Sequence, residues 1–294
     1  DYSQGGAIYA YGRVNLDIKN STITGNSANS NGGAIYGAST NYSGDIVLNL
    51  SGTTITGNTS EKLGGGVYFA GTTFTVSGVT NITGNTAAHG GGGIYAYNCA
   101  LTIDGASITG NNGGESLGGG VYISGAKGSG TTGDPYIPAV IQNATIQNNT
   151  AKCGGGINAS GPVKISDTTI TGNTATKLEK WGGGGLNARI IPQSRYNNGW
   201  VFELSGKMNI TDNYAEGVVN NLYFHEVDAG TMLPAVTGLT AGSTIGVTTE
   251  IKPLKDGGTI APVYITGDAT SKNYFTSDEG YEVKLDADKN QLYI

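Results

Sequence analysis

Charge is scarce in this sequence. Of its 294 residues only 13% are Asp, Glu, Lys or Arg, and there are two His, two Cys, two Trp and seven Pro. With 16 basic side chains against 22 acidic ones, no Lys/Arg footprint is available to neutralise phosphates, which excludes nucleic acid as a partner. No apolar run approaches the roughly 18 residues that a membrane-spanning helix needs, so no membrane insertion by this segment is expected. A basic stretch followed by an apolar one, the mark of a secretory leader, is also missing. Because residue 1 stands only four positions before the first repeat motif, the segment reads as a monomeric piece of a larger chain. The two histidines, His89 and His225, have no partner at metal-ligand spacing, so neither a metal nor a cofactor is expected.

What is abundant is glycine, at 51 residues, together with Thr, Asn and Ser, a composition of short strands and many turns. Charge is unevenly spread. Residues 1–213 hold 11 basic and 11 acidic side chains, whereas 214–294 hold 5 and 11, so the acidic excess belongs to the C-terminal part.

Three short motifs recur in fixed order. The first is a glycine corner running into an apolar residue, at Gly5 (GGAIYAY), Asn31 (NGGAIY), Leu63 and Leu117 (LGGGVY), His89 (HGGGGIYAY), Cys153 (CGGGIN) and Trp181 (WGGGGLN). The second alternates apolar and polar residues: LDI at Leu16, LNL at Leu48, FTV at Phe74, LTI at Leu101, VIQ around Ile141, VKI at Val163 and FEL at Phe202. The third is ITGN at Ile23, Ile55, Ile82, Ile108 and Ile170, with IQNN at Ile146 and ITDN at Ile210. Equivalent motifs lie 24 to 40 residues apart, and the extra length falls mostly after the glycine motif. A fixed core with variable loops is the behaviour of a solenoid.

Three short period-2 segments per unit with non-helical corners predict an all-β fold, a right-handed parallel β-helix of about seven regular three-strand coils over 1–213. Residues 214–294 are expected to hold degenerate coils and an acidic, β-rich C-terminal cap ending in a hairpin through Asp288, Lys289 and Asn290. Parity places Ile8, Ile35, Val67, Ile94, Val121, Ile157 and Leu186 in one inward row and the ITGN isoleucines in another. The motif asparagines Asn26, Asn58, Asn85, Asn111, Asn149, Asn173 and Asn213 are expected to turn the chain and to stack as a hydrogen-bonded ladder. A phosphate-cradling use of the glycines is excluded, since a strand and not a helix N-terminus follows them.

The pairing of GGA-apolar motifs with ITGN motifs over residues 5–213 resembles the polymorphic outer-membrane-protein repeat of bacterial surface proteins, with Ile in place of the usual Phe. The stretches GLTAGSTIGVTTE and NYFTSDEGYEVKLDADKNQLYI are similar to the ends of β-helix regions in large secreted or wall-anchored proteins of anaerobic Gram-positive bacteria. The resemblance implies extracellular display at a bacterial surface and an adhesion-like role. It brings no catalytic residues.

Candidate ligand-binding residues follow from the outward position after each inward apolar residue, which is Tyr9, Tyr36, Tyr68, Tyr95 and Tyr122 in five successive units, then Asn158 and Asn187. Tyr97 and Tyr11 stand two residues on. Rungs about 4.8 Å apart would make an aromatic stripe, and a flat stripe bordered by Asn158, Asn187 and Arg189 would hold a glycan or a host or matrix protein segment. Three long loops, 39–45, 126–138 and 188–200, leave the same corner, and Trp181, Arg189, Arg195, Tyr196 and Trp200 gather at one end, where a concave pocket is expected. Other functions stay open at this point: a polysaccharide-degrading β-helix enzyme, although Asp17, Asp104, Asp167 and Glu203 form no evident carboxylate pair; a structural stalk; and an ice-binding face, because Thr flanks several ITGN isoleucines. Cys99 and Cys153 lie two coils apart, about 9.6 Å, beyond the reach of a disulfide, so two thiols are expected.

Overall fold

The computed structural model describes residues 3–39, 46–125, 137–178, 182–189, 201–225, 235–248, 264–266, 269–280, 282–289 and 291–293. Its strands form parallel ladders in which every unit pairs with the equivalent segment of the next, a right-handed parallel β-helix. The glycine ladder comprises Ile8–Tyr11, Ile35–Ala38, Val67–Ala70, Ile94–Tyr97, Val121–Ser124, Ile157–Ala159, Leu186–Arg189 and Leu222–His225. A second ladder runs from Val14–Lys19 to Ala235–Leu239, and a third, built on the ITGN motif, from Thr22–Thr24 to Thr244–Thr248. The sequence pattern shows these three strands per coil. It does not reveal a further two-residue segment after each ladder asparagine, such as Ser27–Ala28, Thr59–Ser60 and Thr86–Ala87, which pairs along the axis as well. Two residues are too few to carry a periodic signal.

Alternation within each strand fills the interior. Ile35, Val67, Ile94, Val121, Ile157 and Leu186 are fully buried in one row, Ile55, Ile82, Ile108, Ile146, Ile170 and Ile210 in another, and Leu48, Phe74 and Leu101 close the third side. The corners depend on backbone freedom. Gly91 sits at φ +62°, and a Cβ on Gly92 would meet the carbonyl of Gly119 on the next coil at 2.5 Å, so that corner tolerates no side chain. In the ITGN turn the residue before the asparagine is also left-handed, and where glycine is missing there, Asn148 (φ 55°) and Asp212 (φ 56°) take its place.

The asparagines form an unbroken, one-way ladder. The backbone N–H and the Nδ2 amide of Asn26 both donate to Oδ1 of Asn58, each at 2.9 Å. The same pair of bonds passes from Asn58 to Asn85, to Asn111, to Asn149, to Asn173 and to Asn213, at 2.9–3.0 Å. The second Nδ2 hydrogen is used as well: that of Asn111, for example, goes to the Ile82 carbonyl at 2.8 Å. From Asn58 to Asn213 these side chains are almost wholly buried, and each is satisfied. The glycine corner is polarised in the same sense, since Gly64, Gly65 and Gly66 all donate forward to carbonyls of the following coil.

A one-way chain of donors must end on an acceptor. After Asn213 the bonds go to Asn221, at 2.9 and 3.0 Å, and Asn221 donates to the carboxylate of Asp278, with N–H to Oδ2 at 2.8 Å and Nδ2 to Oδ1 at 2.6 Å. Thr248 Oγ1 adds a third bond, to Oδ2. Only a carboxylate offers two acceptor oxygens and no donor, and its charge faces the positive end of the aligned amides. Around it the ladders converge. Thr244–Thr248 pairs with both Asn209–Thr211 and Leu222–His225, and Phe275–Ser277 stacks on it. Antiparallel pairing of Gln291–Tyr293 with Tyr264–Thr266 and with Lys284–Asp286 ends the second ladder, which hides its edge from further parallel addition.

Replacing Asn111 with Ala leaves the buried N–H and Nδ2 groups of Asn85 without their acceptor and is expected to cost at least about 2 kcal/mol of stability. Asn26→Ala, at the half-buried start of the ladder, is expected to cost clearly less. Chemical denaturation of both variants checks this; equal losses at the two positions would contradict the directed ladder. In the same assay Asp278→Asn, which presents an amide to donors, is expected to destabilise the fold nearly as much as Asp278→Ala.

Candidate functional site: the tyrosine face

The glycine ladder sets the outward residues in register, with Tyr9 beside Tyr36, Tyr36 beside Tyr68, Tyr68 beside Tyr95 and Tyr95 beside Tyr122. Because strand spacing is close to the thickness an aromatic pair needs, the rings stack on one another. Centroids are 5.3, 5.2 and 5.3 Å apart from Tyr9 to Tyr95, with ring planes within 13° of parallel, and Tyr122 follows at 4.7 Å, tilted by 40°. Tyr11 lies against Tyr9 with centroids 6.1 Å apart.

This stacking corrects the expectation of a flat aromatic platform. Ring faces from Tyr36 to Tyr95 are turned to each other along the helix axis, so the surface presents ring edges and phenol hydroxyls. Exposure varies along the row: Tyr9 is 55% exposed, Tyr97 37%, and Tyr36, held between two neighbours, only 8%. Asn158 and Asn187 continue the row in register, but they are buried, at 1% and 0%, and so do not border an open surface as the sequence reading expects. A carboxamide stands lower on a sheet than a phenol. Ser160 Oγ donates to Asn158 Oδ1 at 3.1 Å.

Sequence reasoning missed one member of the row. Tyr223 pairs with Asn187 in the eighth strand of the ladder and is buried. Its signal was the Leu-Tyr pair at 222–223, which repeats the apolar-Tyr step of earlier units without the glycines ahead of it. Arg189 ends its strand at the side of this row, half-buried. Trp181, Arg195, Tyr196 and Trp200, with the pocket expected among them and most of the three long loops, lie outside the described residues.

No charged residue stands in the row from Tyr9 to Tyr122. Burial raises the pKa of Tyr95 well above the ordinary phenol value, repulsion from Tyr122, Tyr68 and Tyr97 adds to this, and a hydrogen bond with Ser124 offsets part of it. Tyr36 is raised by burial and then by Tyr9 and Tyr11, against a hydrogen bond with Gln4. A phenol with a raised folded pKa favours the neutral form in the fold. The stability it contributes is complete below the unfolded value near pH 10 and is lost as pH rises through the folded value.

Elsewhere on the surface the carboxylates are placed beside non-acids. On the second ladder Asp17 pairs in register with Asn49, Asp104 with Gln142, and Glu203 with Lys164, the last as an ion pair at 3.0 Å. Hydrogen bonds from Asn143 and Gln142 hold Asp104 below the usual carboxylate range, and those from Thr237 and Lys164 do the same for Glu203. A general acid for glycoside cleavage needs the opposite shift. Among the described residues no cluster of three or more His, Cys, Asp or Glu could hold a metal ion. The threonine array around the ITGN isoleucines is interrupted by Asn81, Ser107, Gln147 and Asn209, although Thr83 and Thr109 join hydroxyls at 3.2 Å. Neither Cys99 nor Cys153 is in a disulfide; both are buried, and burial pushes the Cys153 thiol up to about 11, with Lys152 opposing weakly.

The Chlamydia polymorphic membrane protein repeat matches at residues 20–38 and 80–97. Both stretches run from the ITGN turn into the following strand of the tyrosine ladder, so these two units are similar to the polymorphic outer-membrane-protein repeat, a repeat of bacterial surface and outer-membrane proteins. Among the described residues no helix is long and apolar enough to cross a membrane. No curated protein and no solved structure matches the chain.

Spectrophotometric titration of the native protein is expected to show Tyr36 and Tyr95 ionising above the ordinary range, with stability falling as pH rises past about 10. A single ordinary titration step with unchanged stability would contradict the buried stack. At pH 8 Cys153 is expected to resist alkylation until the chain is denatured, because a thiol held near 11 is almost wholly protonated there.

Proposed function

We propose that this chain is a non-catalytic, adhesin-like module of a bacterial surface protein, and that it contacts an extracellular polymer, a glycan or a host or matrix protein, through the tyrosine face. One observation carries the reading: five outward tyrosines stand in register on consecutive coils, a row of neutral hydroxyls and ring edges along one side of a rigid solenoid. Aromatic residues with a polar tip are favoured at recognition surfaces because they combine contact area with hydrogen bonding at low entropic cost. The depressed carboxylates and the repeat type both speak for binding over catalysis.

A spacer role is the competing reading, favoured by the fact that the rings stack on each other. Glycan and matrix-protein arrays probed with the wild-type chain and with a Tyr68→Ala/Tyr95→Ala variant separate the two. Retention by the wild type and its loss in the variant, with stability within about 2 kcal/mol, is the expected outcome. Retention that survives the double substitution, or no retention by any probe, would leave the face as a brace between coils.

A further inference from the structure

We infer that the N-terminal edge of the solenoid is an interaction surface for one further coil of the same repeat, continuous with Ser3, whose turn asparagine donates to Asn26. This is independent of any role of the tyrosine face.

The N-terminal edge is open where the other end is closed. Ile8–Tyr11, Val14–Lys19, Thr22–Thr24 and Ser27–Ala28 each pair with the following coil alone. The interior shows through as well. Ile8, Val14 and Leu16 are only partly buried, whereas their register partners Ile35, Ile46 and Leu48 are 0–1% exposed. Unpaired strands beside uncovered core residues are a template for strand addition.

The polarity of the ladder selects what can add. Asn58 Oδ1 receives both the N–H and the Nδ2 of Asn26, and the same holds at every later rung to Asn213. Among the described residues nothing donates to Oδ1 of Asn26 itself, so this edge presents an acceptor and lacks two donors. A second copy does not supply them. Edge to edge about a two-fold axis, one Asn26 Oδ1 would face the other. Head to tail, it would face the end closed by the Asp278 carboxylate, which is an acceptor too. A coil of this repeat running in the same direction brings both donors on its own asparagine.

Register says where that coil joins. The Ser30 N–H donates to the Ser3 carbonyl, and the N–H groups of Gly5 and Gly6 donate to the carbonyls of Asn31 and Gly32. Residues 3–6 therefore lie on the 29–32 corner as the closing stretch of a coil. Asn26, Asn58 and Asn85 stand six positions before Gly32, Gly64 and Gly91. The matching donor belongs six positions before Gly5, at the turn of the coil that Ser3 closes.

The test extends the whole chain with a copy of residues 64–86 placed directly before residue 1, which sets the copied Asn85 six positions ahead of Gly5. Expected are a higher midpoint of chemical denaturation than that of the unextended chain, and exchange of the Asn26 Nδ2 hydrogens slowed by about tenfold or more. The same extension carrying Asn85→Ala in the copy is expected to lose most of both effects. Asn85→Asp in the copy, which brings a carboxylate to an acceptor, is expected to lose at least as much. All three extensions keep the added apolar residues, so a gain from apolar burial alone would be equal among them. That equality, or unchanged exchange at Asn26 in the extended chain, overturns the inference. Self-association of the unextended chain that slows exchange at Asn26 as concentration rises also overturns it, because a second copy would then fill the edge.

Discussion

Everything in this molecule depends on coils repeating in register, and the buried asparagine ladder is the interaction that enforces it. A β-strand pair can slip by two residues and keep its apolar face inward. A ladder asparagine cannot slip, because its Oδ1 must receive two donors from the coil before while its own N–H and Nδ2 reach the coil after. A shift would strand several buried polar groups at once, at about 1–3 kcal/mol each. The register fixed in this way is what brings the tyrosines ring upon ring on the opposite side of the glycine corner.

Direction follows from the same bonds. Since donors point one way along the axis, the two ends of the solenoid are chemically different, and the C-terminal end closes on an acceptor-only group, Asp278, surrounded by strands that merge and reverse. The acidic tail thus supplies the carboxylate that terminates the ladder, in addition to covering strand edges.

Most of the fold was legible in the sequence because each coil repeats the same physical demands: glycine where the backbone meets the next coil, an apolar residue inward, an asparagine at the turn. The substitutions Asn148 and Asp212 in the left-handed turn position obey the same rule with different residues. Asp278 was not legible. It is joined to Asn221 across 57 residues by a hydrogen bond, and no local pattern marks such a pairing. The candidate site was half legible. Parity gave the outward tyrosines by number, but parity says nothing of ring orientation, so the mutual stacking that removes most ring faces from solvent, and the burial of Asn158 and Asn187, came only with the structure.

The polymer-contact reading and the ladder are linked, since a tyrosine row has a useful period only if the register beneath it is rigid. Hydrogen exchange of the asparagine side-chain amides, followed by NMR on the native protein, tests that foundation most directly. The account predicts strongly protected Nδ2 groups from Asn58 through Asn213 and rapid exchange at Asn26. Uniformly fast exchange along the row would contradict it.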